Sequence, residues 1–177
     1  LNGAPHTTTC TPRDSLRTVL RRAGMFSVRY GSDSGETGAA AVLIDGRLAS
    51  ADVVLAAQID GRSVMTLEAL NTSAELHPIQ AAFVAVGAFQ SGYSAGAMIL
   101  GTLALLEHNP DPSETDIRDM LSGVLDRETA YVKPVEAIRR AAAVLRGESP
   151  DAFEPLVVAP MVEGADLPVY DPSAQPP

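Results

Sequence analysis

With 177 residues, 46% of them hydrophobic, the chain is long enough to bury a core and too apolar to be disordered. A formal net charge of −9 argues against nucleic acid as a partner, because nothing here neutralises a run of phosphates. The longest apolar run, 95–106, is shorter than a membrane span and is interrupted by Gly96 and Gly101, which argues against a membrane partner too. One cysteine, Cys10, excludes an internal disulfide; with no histidine or cationic cluster beside it to activate the thiol, it reads as a small, partly buried residue.

Up to about Asn71 the pattern is that of a small mixed sheet with one helix. Asn2-Gly3 is a hairpin-turn signal, and residues 6–10 fit a short strand after it. Hardly any strand precedes the turn and the first residue is Leu1, so upstream residues are expected. The run Thr11-Pro12-Arg13-Asp14 reads as a helix start with Thr11 as N-cap. The helix is expected over 15–22, with Leu16, Val19 and Leu20 on one face and Gly24 ending it. A loop rich in Gly, Ser and Asp follows at 30–38. Strands are expected at 39–44, 52–58 and 63–67, with turns at Asp45-Gly46 and Asp60-Gly61.

The stretch from about 77 to 147 is helical. His77-Pro78 opens a helix to about Val86, with Gly87 closing it. A second helix is expected over 94–107, stopped by Asn109-Pro110. Ser113 caps a third over 114–121, with Asp116 in its first turn. A fourth is expected over 132–145. Four short helices with short loops point to a bundle around one core. The final stretch, 148–177, is rich in proline and reads as an extended tail that packs on a partner or stays solvated. Of the histidines, His6, His77 and His108, none has a partner at metal-ligand spacing.

Three glycine-containing loops carry the functional signal. Residues 30–42 read YGSDSGETGAAAV, residues 90–98 read QSGYSAGAM, and residues 121–131 read LSGVLDRETAY. In order and spacing they resemble the cluster loops of the small iron–sulfur subunit of the molybdenum hydroxylases, the xanthine dehydrogenase and carbon monoxide dehydrogenase type. Those loops read roughly CxxGxCGxC, QCGxC and CRC. Further matching stretches are LAAQ at 55–58, TLEAL at 66–70 and HPIQAAF at 77–83, so the resemblance covers nearly all of 1–145.

The resemblance implies an α+β fold. A ferredoxin-like β-grasp domain over 1–72 would be followed by a four-helix-bundle domain over 75–147, with the tail from 148. It also implies two [2Fe–2S] sites, each with four cysteine ligands. The positions that match the first are Ser32, Thr37, Ala40 and Asp52; those that match the second are Ser91, Ser94, Asp126 and Glu128. None is cysteine. Hydroxyls, a methyl group and carboxylates do not replace thiolates on iron, so the expectation is a degenerate member with no cofactor in this chain. FAD and a molybdopterin cofactor are expected in its partners.

The function this implies is a structural or assembly subunit without electron transfer. It would bridge a large molybdopterin-type subunit and an FAD-binding medium subunit in a cytoplasmic hetero-oligomer, a dimer of heterotrimers, with no catalytic activity expected of the chain alone. Gln90 keeps the glutamine that in the family lies at the pterin end of the partner's cofactor. It either closes the wall of that pocket or is a buried glutamine bonded to local backbone. The alternative function is a binding module in which Ser91, Ser94, Asp126 and Glu128 hold a hard divalent cation or a small ligand.

Overall fold

The structure is a computed structural model that describes residues 1–71, 75–127 and 129–148. Its architecture is α+β. One short helix, α1 (Leu16–Arg22), precedes three strands, β1 (Ala41–Ile44), β2 (Arg47–Ser50) and β3 (Val64–Met65). Four helices follow, α2 (Pro78–Val86), α3 (Ala95–His108), α4 (Glu114–Leu121) and α5 (Val132–Leu145).

The sheet has the order β2-β1-β3, and both pairings are antiparallel, where a mixed sheet was expected. Asp45 and Gly46 both take positive φ, 49° and 77°, as a two-residue turn of the I′ type requires. Such a turn leaves no room for a loop, so the partner strand starts at Arg47 and pairs Ile44 with Arg47 and Ala41 with Ser50. This is why the expected strand at 52–58 is absent. The chain instead turns at 51–53 and forms one 3₁₀ turn, Ala56–Ile59.

β1 is buried along its whole length. Successive side chains of a strand point to opposite faces. Val42 and Ile44 join Leu16, Leu20, Val28 and Val64 in one core, while Ala41 joins the helical core. The strand is therefore the wall between two apolar clusters.

Two expectations near the N-terminus need correction. Residues 6–10 form no strand and are exposed, and Cys10 is exposed rather than partly buried. Thr11 does not cap α1. It closes a turn with Asp14, whose carboxylate accepts bonds from Thr11 N and Oγ1 at 3.0 and 2.9 Å. The cap is Ser15, which accepts from Thr18 N at 3.3 Å. A small polar network then ties the start of the chain to the sheet. Asn2 Oδ1 accepts from Thr66 N at 2.8 Å, and Glu68 accepts from Ser27 N, Ser27 Oγ and Thr66 Oγ1 at 2.8, 2.6 and 2.6 Å. Burial raises the Glu68 pKa, but these bonds outweigh it and hold the carboxylate below its ordinary value.

The helices follow their sequence signals closely. His77 Nδ1 accepts from Ile79 N at 3.3 Å, Gln80 Oε1 accepts from His77 N at 3.1 Å, and Gly87 closes α2 in the left-handed region. Ser113 and Asp116 form the same reciprocal cap on α4. The buried faces, including Ile79, Phe83, Met98, Ile117 and Ile138, meet in one cluster. Gly101 of α3 faces Met120 of α4, where an added Cβ would lie 2.6 Å from the sulfur. No helix among the described residues is long and apolar enough to cross a membrane. The expected tail lies outside the described residues beyond Glu148.

The cap on α2 has a pH consequence. Partial burial lowers the His77 pKa below its ordinary 6.5, so the unfolded chain takes up the proton more readily than the folded one. This contribution to stability is full above pH 6.5 and is lost as pH falls through the lowered folded value. A protonated Nδ1 cannot accept from Ile79, which costs the cap, about 1 kcal/mol. Thermal melts of wild type and His77→Asn between pH 7.5 and 5 check this. The wild type should lose the increment on acidification, and the asparagine variant, which caps without titrating, should not.

Candidate functional site

The three glycine-containing loops come together on the edge where the sheet meets the helices. In the first, Gly35 and Gly38 take positive φ, 78° and 68°. Ser32 Oγ accepts from Gly35 N at 2.8 Å and donates to Glu36 Oε2 at 2.7 Å. Ser34 also donates to Glu36, and these hydroxyls hold the Glu36 carboxyl below its ordinary pKa. Thr37 Oγ1 accepts from Ala39 N at 3.4 Å. Ala40 is fully buried in the first core and brings no donor atom.

Asp52 reaches the loop from the turn after β2. Its side chain has no exposure, and Arg17 Nε of α1 lies 2.5 Å from Oδ1. The angle misses that of a directed hydrogen bond, so among the described residues Arg17 Nε and both Asp52 oxygens have no hydrogen-bond partner, nor does the buried Ser50 Oγ. The distance makes the contact an ion pair; the geometry makes it one of charge alone. The Arg17 guanidinium sits 4.6 Å from the centroid of the Tyr30 ring. Space beside Gly31 is taken: a Cβ there would overlap Thr37 Oγ1 and lie 3.3 Å from Asp52 Oδ2.

In the second loop Gln90 is exposed, which removes the reading of a buried glutamine. Ser91 is exposed, and its Oγ accepts from Tyr93 N at 3.2 Å. Ser94 is buried at the start of α3, and its Oγ donates to Asp126 Oδ1 at 3.4 Å. In the third loop Asp126 Oδ2 accepts from Thr129 N and Oγ1 at 3.2 and 2.8 Å. Asp126 N donates to Tyr131 Oη at 2.9 Å, and that hydroxyl donates to Val124 O at 3.0 Å. Glu128 lies outside the described residues. Of the four positions expected to converge as a cation site, the structure joins Ser94 and Asp126 directly. Among the described residues, no three His, Cys, Asp or Glu side chains are grouped to hold a metal ion.

Contacts between loops complete the site. Leu125 N donates to Thr37 O at 2.9 Å, and Tyr93 Oη donates to Tyr30 O. Gly38 lies so close to the third loop that a Cβ would run into Gly123 O. Arg17, Tyr30, Tyr93, Thr129 and Tyr131 were not anticipated from sequence. The tyrosines sit beside the glycine motifs, which is the one signal they offered; Arg17 offered none, because one of three arginines on a seven-residue helix looks like surface.

A family model described as "[2Fe-2S] binding domain" matches residues 66–139. One of the nicotinate dehydrogenase subunits of Pseudomonas putida is 39% identical over 147 residues, covering 82% of this chain and 94% of that protein. The chain belongs to the family of small iron–sulfur subunits of the xanthine and nicotinate dehydrogenase type. The nicotinate dehydrogenase small FeS subunit of Eubacterium barkeri is 37% identical over 142 residues, covering 80% of this chain and 90% of that one. Among solved structures, quinoline 2-oxidoreductase from Pseudomonas putida 86 superposes with a TM-score of 0.78 at 33% identity, over 84% of this chain and 94% of that one.

These findings correct the expectation of no cofactor in this chain. The family model and the relatives named as iron–sulfur subunits point to a [2Fe–2S] cluster. The side chains at the expected positions do not fit that group as its ligands. A cluster is held by thiolates, and the described positions offer three serine hydroxyls, a threonine hydroxyl, a methyl group and two carboxylates. Cys10, the one cysteine, is exposed in the N-terminal segment. Ser32, Thr37, Ser91 and Asp126 already accept bonds from backbone N–H groups of their own loops. The chain thus has the family's frame with a different donor set.

The Gly38–Gly123 approach gives a direct test of how the loops are joined. Gly38→Ala should destabilise the chain by about 2 kcal/mol or more, because the methyl group meets backbone and φ is positive. Gly46→Ala, also at positive φ but with nothing near its Cβ, should cost clearly less. Denaturant midpoints of the two variants measure the difference.

Proposed function

We propose that this chain is a structural or assembly small subunit of a molybdenum-hydroxylase-like complex, and that electron transfer does not run through it. It would bridge a large molybdopterin-type subunit and an FAD-binding subunit, as part of a dimer of heterotrimers in the cytoplasm. Family membership supports the subunit role. The observation that carries the non-redox part is the donor set: the eight positions expected to ligate two clusters hold no thiol. Side-chain to backbone bonds within the loops, such as Ser32 with Gly35 and Asp126 with Thr129, support the same reading.

In this reading the two cores are two domains, 1–72 of the ferredoxin-like β-grasp kind and 75–147 as a four-helix bundle, with 148–177 as the tail. Gln90, exposed on the second loop, would close the wall of a partner's cofactor pocket. The partner's reaction would then send its electrons elsewhere, or need none.

A second reading rests on the Ser94–Asp126 contact, which begins a hydroxyl and carboxylate site suited to a hard cation. Calcium or magnesium would then raise the melting temperature of the isolated chain in proportion to occupancy, and Asp126→Asn would abolish the rise. An unchanged melting temperature at millimolar cation rules this reading out.

Visible absorption and metal analysis of the complex purified with its natural partners test the main reading. The expected outcome is turnover in which substrate bleaches no iron–sulfur chromophore that scales with this chain. A brown complex with iron in proportion to this chain, bleached by substrate, would overturn it.

A further inference from the structure

The Asp52 carboxylate is an unusual group to find where it is. Its side chain is completely buried, and among the described residues no hydrogen bond reaches either oxygen and the opposite charge paired with it is Arg17. A carboxylate in that state depends on its counter-charge, because burial of an unpaired ion is costly. Arg17 in turn is fixed by backbone. Its N–H donates to Ala51 O at 2.9 Å, and the preceding Leu16 N–H donates to Val54 O at 2.7 Å, so the start of α1 is bound to the turn that carries Asp52. On its other side the guanidinium lies against Tyr30, the first residue of the first loop, and the Tyr30 carbonyl accepts from Tyr93 of the second.

We propose that Arg17, Asp52 and Tyr30 form a latch that holds the first loop in the shape it presents to a partner subunit. The proposal rests on the subunit reading above. It assigns the work of positioning the loop to a charge pair and a stacked ring inside this chain. The planar guanidinium is needed because one face covers Tyr30 while Nε faces the carboxylate; an ammonium would keep the charge and lose the stack.

The latch is read in the isolated full chain by trypsin cleavage after Arg29, at the edge of the loop, alongside thermal melting. Cleavage of a transiently open loop tracks its open population. Arg17→Met and Asp52→Leu should each raise the cleavage rate about tenfold, and the double variant should fall below either single variant without reaching wild type, since an apolar pair replaces a buried ion pair well but does not restore the stack on Tyr30. Additive effects of the two substitutions would overturn the proposal. Should either single variant fail to fold, Tyr30 carries the test. Tyr30→Ala should speed cleavage with the melting temperature unchanged, and Tyr30→Phe should restore protection. Equal cleavage in Tyr30→Ala and wild type would overturn the latch, as would loss of protection in wild type on adding a chelator. Iron in the purified complex is a separate readout, so the latch and the non-redox reading can fail independently.

Discussion

Four consecutive apolar residues, Ala41–Ile44, set the limits within which everything else is arranged. A strand that is buried on both faces needs two apolar partners, and this chain supplies them in sequence order. The short helix α1 comes before it and the four helices come after. The alternation of side chains sends Val42 and Ile44 to one core and Ala41 to the other. A one-residue slip of β1 would exchange the faces and empty both cores, so the tight Asp45-Gly46 turn that sets its register matters beyond the hairpin itself.

From that wall the site follows. The first loop enters β1, the second enters α3, and the third leads from α4 into α5. All three must meet near the junction of the two cores. They are joined there by specific short-range contacts: a backbone bond from Leu125 to Thr37, the glycine approach of 38 to 123, the Tyr93 hydroxyl on Tyr30, and Ser94 on Asp126. Each satisfies or closely packs groups that irregular backbone would otherwise leave to solvent.

The comparisons point to a [2Fe–2S] cluster as the family's cofactor, and the chain holds three glycine-containing loops together. What differs is the chemistry at the loops. Hydroxyls and a carboxylate bond to the loops' own N–H groups, and one carboxylate is balanced by an arginine from a helix outside the motifs. Serine and aspartate are residues that make such local bonds readily, so the loops can hold their shape through side-chain to backbone contacts.

Much of the helical half was legible in the sequence. His77-Pro78, Gly87, Asn109-Pro110 and Ser113 with Asp116 are local signals: each acts within one turn of its own position, and the helices begin and end where those signals stand. The glycine loops and the absence of cysteine from them were legible for the same reason, since motif spacing is a property of the chain alone. Around the sheet the sequence misled. Residues 52–58 are apolar enough for a strand, but pairing is a matter of which segment the Asp45-Gly46 turn delivers to β1, and it delivers Arg47–Ser50. Thr11 had the chemistry of a cap, and Ser15 took the role because Asp14 was in reach of Thr11 first. Sequence by itself thus determined the helices, the loops and their donor types, because these depend on neighbours within a few residues. Tertiary structure alone decided that Arg17 meets Asp52, that Tyr93 reaches Tyr30 and that Gly38 rests on Gly123, because charge, ring and backbone were brought together there from positions far apart in the chain.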